Sequence, residues 1–485
     1  MFHDEATQGR TRSLAASLNY GFEHAFNETE RKQLALLHLF QGFVNVVTLG
    51  RVAGITPEAA ARLLDRAAEV GLLTGHGGGY YSIHPALPWF FRALFEQQGL
   101  EACERASRAY VESIGSLGDY YRGQYEGGER RVTGALKAEE PNLLHARALA
   151  KQRGWWPEGI GAMQGLQLLY RHTARTAEWA RLVEEIVPDF INPATEGPLV
   201  AREGVWSLVT GYRVEVARGA RKWDEAERLQ WIRVEWDRRH AREEDRHSIR
   251  ILAASLHELG EIRREMGRPE CAKAYQEAFD VAMRIQDSPN AAAAAFNLGN
   301  AYLKVPELHN LDESESWYGK SLDLRAKGDL MARAGSIGQL GTVALERFRE
   351  ARAAKKPEAE LTRHLNDALG RCQEALKMTP PDAVGQLAVA HNQMGVIYFE
   401  AGDLDRALHH YREAIRLQEV QGNLHGTAET RYNVALALVH AGRLPDARQY
   451  AQAALSDFQT YGAGAAQDVQ DALDLISQIA KAATA

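Results

Sequence analysis

The sequence predicts an all-α protein in which a small helix-and-hairpin domain precedes a long array of stacked helical hairpins. Three observations carry this expectation. Small residues recur through the C-terminal half: Gly395, Gly402, Ala407 and Ala414 are followed 40 residues later by Ala435, Gly442, Ala447 and Ala454. The first hundred residues lack that recurrence and lead instead to a glycine-rich, tyrosine-bearing stretch, TGHGGGYYSIH at 74–84. The chain's 485 residues also exceed one compact core, since single cores stop growing near ~250–300 residues.

Residues 1–97 read as one domain. ERKQLALLHLF sets Leu34, Leu37, Leu39 and Phe40 on an apolar face. TLGRVAG gives a short helix, and TPEAAARLLDRAAEVGLL a longer one with Pro57 at its start. The glycine-rich stretch then closes a tight β-hairpin. Helix, helix, helix and hairpin in that order make a winged helix, a fold that invites DNA binding. The helix that would enter the groove, residues 57–70, carries Arg62 and Arg66 against Glu58, Asp65 and Glu69, a balance of 2 minus 3, or -1. Phosphate neutralisation needs several Lys or Arg, so nucleic acid is disfavoured. A DNA-binding transcription regulator using the winged helix remains the alternative reading.

Residues 98–250 read as degenerate helical hairpins. EEPNLLHARALAKQRGWW predicts a helix with Pro141 in its first turn. WDEAERLQWIRVEWDRRHARE spaces Trp223, Leu229, Trp231 and Trp236 among charges, as a half-buried helix would. Residues 251–485 hold the regular repeats, with starts at 260, 299, 341, 395 and 435. The turn after Gly299 is three residues longer, and in the next repeat an Arg/Lys/Glu-rich insertion near 349–362 is expected to separate the two helices. The spacing reflects packing: two antiparallel helices approach closely only where small residues meet, and one pair cannot bury its apolar side alone, so pairs stack.

Composition narrows the function. Hydrophobic residues at 45%, charged residues at 25% and a net charge of -7 without blocks point away from disorder, nucleic acid and anionic membranes. No run of about 18 apolar residues occurs, so a cytoplasmic protein is expected. Cys103, Cys271 and Cys372 are odd in number and far apart, which predicts reduced packing residues rather than disulfides or metal ligands. His409 and His410 are adjacent on a helix and point about 100° apart, too far to share a metal unaided. HELGE lacks a second histidine four residues on, and no G-x-S-x-G occurs. A non-catalytic protein is therefore expected, with no metal.

The repeats resemble tetratricopeptide repeats, and their long period resembles the subclass with lengthened helices. In the first segment, SLAASLNYGFEHAFNETERKQLALLHLF and LLDRAAEVGLLTGHGGGYYSIHPALPWFFRALFE resemble the winged-helix domain of STAND ATPases of the NB-ARC kind, signal-transducing proteins that include many bacterial tetratricopeptide regulators. EEPNLLHARALA is similar to the entry helix of their sensor arrays. That resemblance implies that His84, in the position of the middle residue of the family's Met-His-Asp triplet, touches the β-phosphate of ADP; Ile83 and Pro85 flank it, and Pro85 departs from the acid. No G-x-x-x-x-G-K-[ST] loop is present to cradle phosphates. ADP or ATP is thus expected only with an upstream nucleotide-binding core, and the chain is expected to be the C-terminal regulatory part of a larger protein, oligomerising through that missing domain.

The first helices of the repeats should line the concave face of a superhelix, with the residues flanking each small position facing the groove: His257 and Glu261, Asn297 and Asn300, Gln339 and Thr342, Asn392 and Gln393, Tyr432 and Asn433. An amide-rich stripe of this kind suits the backbone of an extended peptide. It equally suits bonds between neighbouring helices. The Lys/Arg clamp with which some tetratricopeptide domains hold a C-terminal carboxylate is not visible at these positions, which disfavours chaperone tails.

Overall fold

The computed structural model describes residues 22, 24–84, 87–126, 129, 131–173, 175–460 and 465–484. These form an all-α protein with one small sheet, divided into two compact units, 1–216 and 217–485.

In the first unit, α1 (Glu28–Ala35) opens on a capping box in which Asn27 and Glu30 satisfy each other's backbone amides at 2.9 Å. A short 3₁₀ turn follows. Strand β1 (Phe43–Asn45) leads into α2 (Val46–Ala53), capped by Asn45, and α3 (Pro57–Glu69), capped by Thr56 with Pro57 in its first turn. Strands β2 (Leu73–Gly77) and β3 (Tyr80–Ile83) form the expected hairpin. Gly77, Gly78 and Gly79 all have positive φ (80°, 58° and 81°), a turn that side-chain-bearing residues would strain. The sheet order is β1-β3-β2, antiparallel throughout, with Phe43 opposite Ser82 and Leu73 opposite Ile83. Leu34, Leu37, Leu39 and Phe40 are all buried, as the apolar face required. Strand β1 was not anticipated: three residues are too few to show alternation.

Helices α4 (Pro88–Glu96), α5 (Leu100–Glu126), α6 (Val132–Arg153), α7 (Trp156–His172) and α8 (Thr176–Ile186) complete this unit, and α9 (Glu203–Gly219) runs across the division. Pro141 lies inside α6, not in the first turn as expected. The helix tolerates the missing backbone donor because Leu136, Leu143, Ala146 and Ala150 on either side of it are wholly buried. Where α5 crosses α7, a Cβ on Gly115 would lie 2.3 Å from the Glu158 carbonyl, and one on Gly161 would lie 2.2 Å from that of Gly115. Gly159, Gly161 and Gly165 of α7 are therefore crossing-point residues.

The second unit begins with α10 (Trp223–His240) and continues as antiparallel pairs: α11 (Arg246–Glu265) with α12 (Glu270–Arg284), α13 (Ser288–Lys304) with α14 (Leu311–Leu324), α15 (Leu330–Ala353) with α16 (Glu358–Met378), α17 (Val384–Glu400) with α18 (Leu404–Gln421), and α19 (Leu424–His440) with α20 (Leu444–Gln459). Helix α21 (Ala466–Thr484) packs on α20. The small residues act as the spacing implied. A Cβ on Gly260, Gly299 or Gly395 would lie within 2.7 Å of the ring of Tyr275, Tyr318 or Tyr411 from the paired helix, and Gly341 receives Cys372 in the same way. In the last pair Ala435 shares a core with Ala447 and Ala451.

The insertion near 349–362 corrects a second expectation. It lengthens both α15 and α16 and leaves only 354–357 as the turn. Arg, Lys and Glu are good helix formers, and Arg349 and Arg352 anchor the extension on Glu400 at 2.9 and 2.6 Å. Among the described residues no helix is long and apolar enough to cross a membrane.

Candidate functional site

Within the second unit, α11 touches α13, α15 touches α17, α17 touches α19 and α19 touches α21, whereas successive second helices make no comparable contact among the described residues. The first helices therefore occupy the inner, more closely spaced side of the stack.

The polar residues on these helices bond to one another from repeat to repeat. The Asn297 amide donates to His257 Nε2 at 2.7 Å, and burial depresses the imidazole pKa, which keeps it a neutral acceptor. Asn297 Oδ1 accepts from Arg264 at 3.0 Å and from Asn300 at 3.1 Å. Asn300 in turn accepts the Tyr318 hydroxyl at 2.8 Å and is buried, so it ties two helices together. Gln393 donates to Thr342 at 3.1 Å, and Asn433 to Asn392 at 3.5 Å. Glu261 pairs with Arg218 at 3.4 Å. Tyr432 packs, half-buried, beside Ala428 and Phe458.

One stretch of this face opens into a cleft of about 210 Å3. Gln339 and Gln393 line it, together with Phe296, Gln386 and Val389, over a floor of Gly335, Gly338 and Ala375. Val389 is 55% exposed. A Cβ on Gly338 would meet the Gln393 amide oxygen at 3.3 Å, so the glycine keeps the cleft open. No charged side chain lines it. An apolar recess ringed by amides accepts an uncharged side chain while bonding the chain that carries it. Phe296, Gln386 and Val389 were not picked from the sequence. Phe296 adjoins Asn297, and Val389 and Gln386 lie one and two turns before Gln393, so offsets of one, four and seven from the amide stripe would have found them.

His84 is exposed at the end of β3; its amide donates to the Leu72 carbonyl at 3.3 Å and its carbonyl accepts from Leu87 at 2.9 Å. Pro85, its expected neighbour in the triplet, lies outside the described residues. His410 meets His391 from α17, Nδ1 to Nδ1 at 3.0 Å, stacks on Tyr398 and lies edge-on to His409 with ring centres 5.3 Å apart. No group of three or more His, Cys, Asp or Glu is gathered for a metal among the described residues. Burial pushes the Cys271 thiol up to about 11 and the Cys372 thiol up to about 12, which leaves both protonated and unreactive at neutral pH.

These pairs define an all-α tetratricopeptide-type solenoid. Residues 386–460, from α17 through α20, match the tetratricopeptide repeat family. No curated protein matches the chain. A solved Signal Transduction ATPase with Numerous Domains (STAND) protein with a tetratricopeptide repeat sensor, from Pyrococcus horikoshii, superposes with a TM-score of 0.54 at 14% identity over 95% of this chain. The chain spans 63% of that protein's length. BtubC from P. vanneervenii aligns at 20% identity and TM-score 0.40, covering 50% of this chain and 92% of its own. A Rap protein complexed with Competence and Sporulation Factor aligns at 11% identity and TM-score 0.41, covering 76% of this chain and 99% of its own.

Proposed function

We propose that this chain is a non-catalytic, cytoplasmic sensor and scaffold that binds a protein or peptide, and that it is the C-terminal regulatory module of a STAND-type signalling ATPase. In this reading residues 1–97 are a winged-helix domain, 98–250 degenerate repeats and 251–485 tetratricopeptide repeats. His84 senses nucleotide bound by an upstream core, through which the protein also oligomerises. The observation that carries the binding function is the uncharged cleft of Gln339 and Gln393 on the inner helices. The likeness in fold over 95% of the chain to a STAND protein with a tetratricopeptide sensor supports the regulatory setting. The DNA-binding alternative loses support because Arg66 of α3 is engaged by Glu30 at 3.1 Å and the same helix carries Glu58, Asp65 and Glu69.

Of the inner-face residues, Gln339, Gln393, Gln386 and Val389 are assigned to ligand contact. His257, Glu261, Asn297, Thr342, Asn392, Tyr432 and Asn433 border the face, and Asn300 holds it together. The test is capture from host lysate on the full chain, compared with Gln339→Arg/Gln393→Arg and with Arg412→Ala on the second-helix side. A partner retained by the wild type and the Arg412 variant but lost from the double variant supports the reading. Equal retention by all three moves the site off this face.

A further inference from the structure

A cavity of about 830 Å3 in the first unit lies between Asn45 and α2 on one side and α5 on the other. It shares no residue with the cleft on the repeats, and its walls mix polar side chains with Val47, Ala109 and Leu117. Thr48 is 3% exposed and Ser113 6%, yet both line this space, and among the described residues neither hydroxyl has a protein partner. Neither oxygen is among the buried, unpartnered polar atoms, so both hydroxyls open onto the cavity, where an occupant's polar groups can replace water as their partner. Ser116, one turn from Ser113, adds a third hydroxyl.

Two opposite charges share the same walls. Arg51 stands in the last turn of α2 and Glu112 on α5. Neither makes an ion pair among the described residues, with the other or with any other group. Arg108, one turn before Glu112, is held instead by Glu158. The aromatic end is fixed: Tyr121 shares a hydrogen bond of 2.7 Å with Tyr80 of β3, and Tyr120 leans against it at 5.6 Å between ring centres. Opposite charges too far apart to join, with free hydroxyls and aromatic rings beside them, match a molecule that brings its own carboxylate and its own ammonium. A polyanion is disfavoured because it would face the Glu112 carboxylate.

We propose that this cavity binds a zwitterionic molecule of the short-peptide class, two to four residues with free termini. Its carboxylate sits on the Arg51 guanidinium, its ammonium on the Glu112 carboxylate, and its peptide groups on Thr48, Ser113 and Ser116. The volume lies within the ~300–1,000 Å3 range of small-molecule sites. The proposal stands independently of the repeat-face reading, since no residue is shared.

The test is isothermal titration of the full chain with tri-alanine, its N-acetylated form and its C-amidated form. Free tri-alanine is expected to bind saturably, and capping either end to weaken it by about tenfold or more, as loss of a charge-assisted contact does. Arg51→Gln should abolish the difference between free and amidated peptide while keeping sensitivity to acetylation; Glu112→Gln should do the reverse. Both residues are exposed and unpaired, so these variants keep the fold, which far-UV circular dichroism verifies. Absence of saturable binding by tri-alanine, or binding of either capped form by the wild type as tight as that of free tri-alanine, overturns the proposal.

Discussion

Replacing Gly395 by alanine tests the packing rule on which the repeat assignment rests. A Cβ there would sit 2.5 Å from Tyr411 Cδ1 and 2.6 Å from Cε1, where ordinary contact is 3.4–4 Å. The ring or the helix must therefore move by about 1 Å. Tyr411 is 1% exposed and packed among Ile397, Leu408 and Val434, so it has no free direction. Overpacking of this kind costs ~1–3 kcal/mol, and alanine's better helix propensity offsets roughly 1 kcal/mol of it. Gly370→Ala is the control: this glycine lies in α16 with nothing within 4 Å of a Cβ, so only the favourable propensity term applies. The difference between the two variants isolates the crowding, ~1–3 kcal/mol in favour of Gly370→Ala. Urea unfolding followed by far-UV circular dichroism gives it from the midpoints at matched slopes. Relief is expected on combining Gly395→Ala with Tyr411→Leu, which makes room for the methyl. Equal stability of the two alanine variants would refute the reasoning.

Three further outcomes follow from the structure. Asn142 is wholly buried and bonds Gln41 N at 2.7 Å, Phe43 O at 3.0 Å and Glu139 at 2.7 Å; Asn142→Ala should cost roughly 2–4 kcal/mol, read as faster hydrogen exchange in β1 and α6. Burial, His391 and His409 hold the His410 pKa down at about 4, below the ~6.5 of a free imidazole. The unfolded chain then binds more protons between those values, so stability is full above about pH 6.5 and falls as pH drops toward 4; the thermal midpoint should decline over that window, and less steeply in His410→Phe. Maleimide at pH 7.5 should label Cys103 first, with Cys271 and Cys372 modified only on unfolding, because both are buried and their thiols are pushed up; mass spectrometry of the labelled peptides decides it.

The fold was legible where a residue type answers one physical demand. Gly260, Gly299 and Gly395 are small because a tyrosine ring lies against each, and a spacing of small residues survives any drift in the rest of the sequence. Strand β1 was not legible, since its three residues take their identity as a strand from pairing with Tyr80–Ser82, a contact made across the chain. The Arg/Lys/Glu-rich segment near 349–362 misled because polarity reads equally as loop or as solvated helix; Glu400 on the next repeat decides it. In the site, the amide stripe was visible but its division of labour was not. Asn297 and Gln339 each lie two residues before the small residue of their helix, and only bonds to His257, Arg264 and Asn300 make the first a strut while the gap beside Gly338 leaves the second facing the cleft.

Site-specific photo-crosslinking tests the central claim, that the inner face of the repeats is where this protein is read. Benzoylphenylalanine is placed at Val389 or Gln339 on that face and at Arg412 on the second-helix side, and the full chain is irradiated in host lysate. The account predicts adducts from 389 and 339 to one and the same polypeptide, mapped to a single segment of it, with none from 412. Adducts from 412 alone, or the same products from all three positions, would contradict it.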